Sequence, residues 1–299
     1  MPATYLGALP DHGRFGYSAI TARPGYRWPG DAGLAVYVAL NLEQYAFGEG
    51  LVEDLVPGIP APDVLNNSWR EYGNRVGAWR LRELLVQLDL PVTLLINSEL
   101  YDVAPQLVAA FRGRGAEIAS HGRTNSEHQA ALGESDERAL IELVTRTIAR
   151  HEGRPPAGWL SPWIAETERT PDLLHEAGYR YLLDWCMDDQ PVWLATRSGR
   201  ILSVPYPQEL NDSAAIIGRQ VGAAEFADMI VDQFDEMLLQ SRAQPLVMGI
   251  ALHAMIAGQP FRLRQLRRAF AHIAAHRERI WLATPGAIAA AYAAQVPPG

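Results

Sequence analysis

The stretch Gly33-Leu34-Ala35-Val36-Tyr37-Val38-Ala39-Leu40, followed by Asn41-Leu42-Glu43-Gln44, decides the fold. It is an unbroken apolar run with polar residues only at its end, the pattern of a parallel strand buried on both faces. Shorter runs of the same kind recur at Val92 to Ile96, Ala116 to Ser120, Gly158 to Leu160, Tyr179 to Leu183, Ile201 to Val204, Val247 to Leu252 and Ile280 to Leu282. Between them, Trp79 to Leu88, Ala104 to Arg112, Ser135 to His151, Ala224 to Leu239 and Phe261 to His276 space apolar residues three to four apart with charges opposite, which predicts surface helices. Thr170 and Pro171 open a further helix, and Gly178 ends it ahead of Tyr179. Seven or eight such units without a linker predict an α/β fold, a single distorted (β/α)7-8 barrel over residues 1–299. A doubly wound open sheet is the alternative.

Composition narrows the function. With 48% apolar and 20% charged residues the chain can bury a large core, and its net charge of -8 with no basic stripe argues against nucleic acid as a partner. No window is apolar for the ~18 residues a spanning helix needs, so no membrane partner is expected. The N-terminal extension, residues 1–30, is rich in Gly, Pro and aromatics and does not resemble a signal sequence. Together with a single cysteine, Cys186, this gives the expectation of a cytoplasmic protein. Residues 46–69 read as a long loop, an active-site lid or an oligomer contact.

In a βα barrel, polar residues just past the strands converge on one mouth. Here they are Asn41 and Glu43, then Asn97-Ser98-Glu99, His121-Gly122-Arg123-Thr124-Asn125, Ser161-Pro162-Trp163, Asp184-Trp185 with Asp188-Asp189, Pro205-Tyr206 with Asn211-Asp212, and finally His253. A carboxylate and two histidines at one mouth suit amide hydrolysis, because water needs a base and the departing nitrogen needs an acid. Each also has a plainer reading: Glu43 as a helix-start carboxylate, His121 and His253 as satisfied structural histidines, and His128 as a solvent-facing helix residue.

The motifs Ser120-His121-Gly122, Gly158-Trp159-Leu160-Ser161-Pro162-Trp163 and Leu252-His253, in this order, resemble the polysaccharide deacetylase superfamily. The resemblance spans Gly33 to Pro285 and extends to the superfamily's cofactor-independent allantoinase branch through Glu71-Tyr72-Gly73-Asn74-Arg75-Val76-Gly77, Asp188-Asp189-Gln190-Pro191, Val204-Pro205-Tyr206 with Asn211-Asp212, and Gly258-Gln259-Pro260. It implies a distorted barrel, hydrolysis of a non-peptide carbon-nitrogen bond, substrates ranging from acetylated sugars to small cyclic ureides, and a homo-oligomer; a small-molecule substrate is the expectation here. Metal-dependent members carry two aspartates after the first strand and a His-x-x-x-His pair after the third, whereas Asn41, Glu43, His121 and Asn125 stand at those places here. The expectation is therefore no cofactor. The alternative is one divalent metal such as zinc on Glu43 and His121 with Asn125 or His128, in a zinc-dependent carbohydrate or N-acetyl deacetylase; a catalytically dead binding protein is a third reading. Glu43 is expected to activate water and His253 to protonate the departing nitrogen, with His121 or Asn41 steadying the oxyanion. Asn41, Arg75, Asn125, Trp163, Trp185, Asp189, Asn211 and Asp212 are expected to hold the substrate.

Overall fold

A computed structural model describes residues 11–49 and 53–298, so the start of the N-terminal extension and residues 50–52 of the long loop lie outside the described residues. Strands β1 (Leu34–Leu42), β2 (Thr93–Ile96), β3 (Glu117–Ser120), β4 (Gly158–Trp159), β5 (Tyr181–Leu182), β6 (Val192–Thr196), β7 (Gly199–Ser203), β8 (Leu246–His253) and β9 (Trp281–Leu282) form a nine-stranded sheet. Their order is β6-β7-β5-β4-β3-β2-β1-β8, with β9 beside β1. All pairings are parallel except the β6-β7 hairpin. The helices are α1 (Val64–Tyr72), α2 (Ala78–Gln87), α3 (Leu100–Val103), α4 (Pro105–Arg112), α5 (Glu134–Glu152), α6 (Thr170–Glu176), α7 (Ala223–Gln240), α8 (Ala254–Ala257), α9 (Pro260–Ala275) and α10 (Pro285–Gln295). No described helix is long and apolar enough to cross a membrane.

The two faces of β1 explain the layering. Leu34, Val36, Val38, Leu40 and Leu42 pack outward among the helices, while Ala35, Tyr37 and Ala39 pack inward with residues of β5, β7, β8 and α10. Side chains alternate along a strand, so small alanines flanking a tyrosine fill the tapering interior. The buried Tyr37 hydroxyl is satisfied by the Pro205 carbonyl at 2.6 Å. At the strands' N-terminal end α10 acts as a plug, its Gly286 N–H donating to the Glu117 carboxylate at 3.2 Å.

The α/β fold with a central parallel sheet is as expected, and the structure corrects details. The sheet curls without a closed ladder: between β7 and β8 the gap is spanned by irregular chain, with Ala251 N–H donating to the Leu210 carbonyl at 3.0 Å and a single bridge from Asn211 to Ala251. Strand β6 was not foreseen, because it folds straight back onto β7 with no helix between to mark it. The long loop ends at residue 63, where the Asp63 carboxylate accepts from Asn66 N–H at 3.0 Å and starts α1. Asn66-Asn67-Ser68 looks like turn sequence, yet Asn66 is buried and ties the loop down, bonding both backbone groups of Val56.

Candidate active site

Strand parity carries the site. Asn41 continues the inward series of β1 and stands beside His253 in the β1-β8 register, with Glu43 immediately beyond. His121 follows β3 on the inward series after Ala119, and Gly122, with φ of +65°, takes the left-handed turn that a bulkier residue resists. The result is a cavity of about 450 Å³ at the C-terminal mouth, whose lining includes Asn41, Glu43, Glu53, His121, Asn125 and His253.

Glu43 is the centre. Its Oε1 lies 3.5 Å from His121 Nε2 and 3.5 Å from His253 Nε2, and its Oε2 accepts a hydrogen bond from the Tyr45 hydroxyl. Burial opposes ionisation of this carboxyl, but the facing His253 and His121 and the Tyr45 hydroxyl outweigh it and hold it below the usual carboxylate range. The Glu43 carbonyl accepts from Asn74 Nδ2 at 2.7 Å. Asn74 gets there because a π-helical turn, Gly73–Gly77, joins α1 to α2 and lies directly on α8; a Cβ on Gly77 would fall 2.0 Å from the Ala254 carbonyl oxygen.

His253 is held by Asp212, whose carboxylate accepts from the imidazole Nδ1 at 2.7 Å and from the His253 backbone N–H at 2.9 Å. Burial disfavours the imidazolium, yet Glu43 and Asp212 together push its pKa up to about 10. His253 therefore carries its proton at neutral pH, with Nε2–H facing Glu43. His121 Nδ1 faces the Leu160 carbonyl at 2.9 Å; a carbonyl only accepts, so Nδ1 carries the hydrogen.

Among the residues expected to hold substrate, Asn41, Asn125, Trp163 and Asn211 line the cavity. Asp212 does not, because its carboxylate is spent on His253. Arg75 is exposed on the outer side of the π-helical turn, where the helical rotation that brings Asn74 inward carries its neighbour away. Trp185 packs against His12 and Phe15 of the N-terminal segment, and Asp189 lies on the neighbouring surface beside Glu209 and Glu236. Asn41 cannot steady an oxyanion as expected, since its Nδ2 is committed to the Leu252 carbonyl at 3.2 Å and the Tyr206 hydroxyl at 3.3 Å. Two participants, Tyr45 and Glu53, were missed, and Asp184, read as a residue of the mouth, was given no role. Tyr45 bonds Glu43, Asp184 lines the wall with burial pushing its pKa up to about 6, and Glu53 reaches in from the long loop. Glu53 bonds Ser213 Oγ at 2.5 Å and the Tyr45 hydroxyl at 3.3 Å, which makes its loop one wall of the site.

Of the ligands named for the metal alternative, Glu43 and His121 face each other across 3.5 Å in the cavity, and Asn125 Oδ1 accepts from Asn97 Nδ2 at 2.9 Å. His128 is exposed on the approach to a 3-10 turn, away from the cavity.

No family model matches the chain. A Schizosaccharomyces pombe protein assigned to the polysaccharide deacetylases is 26% identical over 299 residues, covering 90% of this chain and 93% of that one. A structure assigned to the polysaccharide deacetylases, from Pseudomonas aeruginosa, superposes with a TM-score of 0.82 at 26% identity, covering 94% of this chain and 99% of the other. The allantoinase PuuE superposes with a TM-score of 0.81 at 26% identity, covering 95% and 99%. The likeness runs through nearly the whole chain in both kinds of comparison, and by sequence and by structure this chain is a homologue of the polysaccharide deacetylases.

Proposed function

We propose that the protein hydrolyses an amide or ureide bond of a small molecule by acid-base catalysis without a metal. The observation that carries this reading is the Glu43-His253-Asp212 arrangement, a carboxylate held ionised and an imidazolium held protonated with their reacting atoms 3.5 Å apart. Glu43 takes a proton from water as the oxygen attacks the carbonyl carbon. His253 gives its Nε2 proton to the nitrogen as the carbon-nitrogen bond breaks, and the Glu43 proton then passes to His253 to restore both groups. General acid-base pairs of this kind contribute about 10²- to 10⁴-fold each. A cavity of about 450 Å³ is of small-molecule size, and the similarity to allantoinase favours a ureide among the candidate amides.

The test is substrate consumption, with release of ammonia, formate or acetate, over a panel of cyclic ureides and N-acyl amines. It is run with added zinc and with chelator, beside Glu43→Gln. Turnover that survives chelator and vanishes in the variant supports the reading; turnover that appears only with zinc replaces it with a metal-dependent deacetylase. Self-association is part of the same proposal. Phe47, Leu55, Val56, Val64 and Leu65 are exposed around the long loop, a surface suited to a second copy, and light scattering at a multiple of 33.0 kDa is the expected result.

A further inference from the structure

From the way the hydrogen-bond network fixes the site's amides, we propose that Asn125 Nδ2 is the donor that receives the oxyanion, with Asn97 as the positioning residue that turns it. This rests on the acid-base reading above. Asn97 is fully buried past β2. Its Oδ1 accepts from the Gln44 backbone N–H at 2.7 Å, and its Nδ2 donates to the His121 carbonyl. A backbone N–H only donates and a carbonyl only accepts, so this amide has one possible orientation. Its Nδ2 also meets Asn125 at 2.9 Å, and the atom it meets must be the acceptor Oδ1. Asn125 is pinned in turn by its backbone N–H on the Gln44 carbonyl at 2.8 Å, and its Nδ2 has no acceptor among the described residues. That NH₂ is left to the cavity, which Asn125 lines.

Most of the competing donors are committed, and Trp163 Nε1–H, which has no partner among the described residues, is itself buried. Asn41 Nδ2 is held by Leu252 and Tyr206, His121 Nδ1–H by Leu160, and His253 Nδ1 by Asp212, while His253 Nε2–H is the proton destined for the leaving nitrogen. His121 Nε2 faces the Glu43 carboxylate. In the reaction, water oxygen bonds to the carbonyl carbon and loses a proton to Glu43, and the C=O electron pair moves onto oxygen, where Asn125 Nδ2–H meets it. The pair then returns to carbon, the C–N bond breaks, and nitrogen takes the His253 proton. Asn41 complements this donor, because its Oδ1 is a buried acceptor with no partner at the same wall. A donor and an acceptor lining one cavity match a substrate presenting both C=O and N–H.

The experiment compares Asn125→Asp, Asn125→Ala, Asn97→Ala and the double Asn97→Ala/Asn125→Ala variant on whichever panel amide turns over, beside Glu43→Gln. Asn125→Asp and Asn125→Ala are each expected to lose about 10²- to 10³-fold in kcat with KM moving less than ~3-fold. Asn97→Ala should lose kcat without adding to the loss in the double variant, because it acts through Asn125. Asn125 variants that keep wild-type kcat while Glu43→Gln is inactive overturn the oxyanion assignment alone. If Glu43→Gln is active too, the underlying acid-base reading falls. Acetate supplies a readout that needs no turnover: on titration, the Asn125 side-chain NH₂ cross-peaks, identified by their loss in Asn125→Asp, should shift in wild-type protein, and cross-peaks that stay still overturn the proposal. If Asn97→Ala fails to fold, the two Asn125 variants and the acetate titration carry the test.

Discussion

The barrel holds a glutamate at each end, and the two are treated in opposite ways. At the base, Glu117 is satisfied on both oxygens: Tyr181 donates at 2.9 Å to one, and Thr93 at 2.8 Å and Gly286 N–H at 3.2 Å to the other. At the mouth, Glu43 keeps Oε1 between two imidazole nitrogens 3.5 Å away, too far for a good hydrogen bond. The same wall holds Asn41 Oδ1, Asp184 Oδ2 and Trp163 Nε1 without partners, and Trp163 has a φ of +66°. A carboxylate with all its partners is part of the scaffold, whereas polar groups that lack partners, in a strained backbone, mark where a ligand completes the network.

Substitutions sharpen this contrast, and the largest effect is expected at Glu43. Glu43→Gln should cut kcat by about 10²- to 10⁴-fold while leaving the melting temperature unchanged or raised, since it removes function and a buried charge together. Asp212→Asn comes next: without that carboxylate the His253 pKa falls from about 10 toward its ordinary value of 6.5, and the basic limb of kcat/KM moves down with it. A pH-rate profile in which that limb stays put would contradict the Asp212 role. Glu117→Ala should do the reverse of Glu43→Gln, costing about 1–3 kcal/mol of stability by denaturant titration with turnover intact. Smallest of all, Arg75→Ala should leave both kcat and KM at wild-type values, because its side chain lies outside the site.

Much of this was legible in the chain. Alternation along Ala35, Tyr37, Ala39 and Asn41 points the strand-end residues inward, and the same parity places His121 and His253. Direction off the strands was not legible. Arg75 and Asn74 are neighbours in sequence, and only the π-helical turn decides which of them reaches Glu43. Asp189 and Trp185 follow a strand yet face other surfaces, and Glu53 enters the site from a loop whose path no periodicity reports. The orientation of Asn125 depends on Gln44 and Asn97, brought together only by folding.

The most direct test of the account is the pH dependence of kcat/KM for the wild-type protein in chelated buffer. Glu43 is competent above its lowered pKa and His253 below its raised one, so the account predicts a plateau across neutral pH that falls as pH rises through about 10. Activity that is lost in chelator and, with zinc restored, rises through pH ~7, as a zinc-bound water ionises, would contradict it.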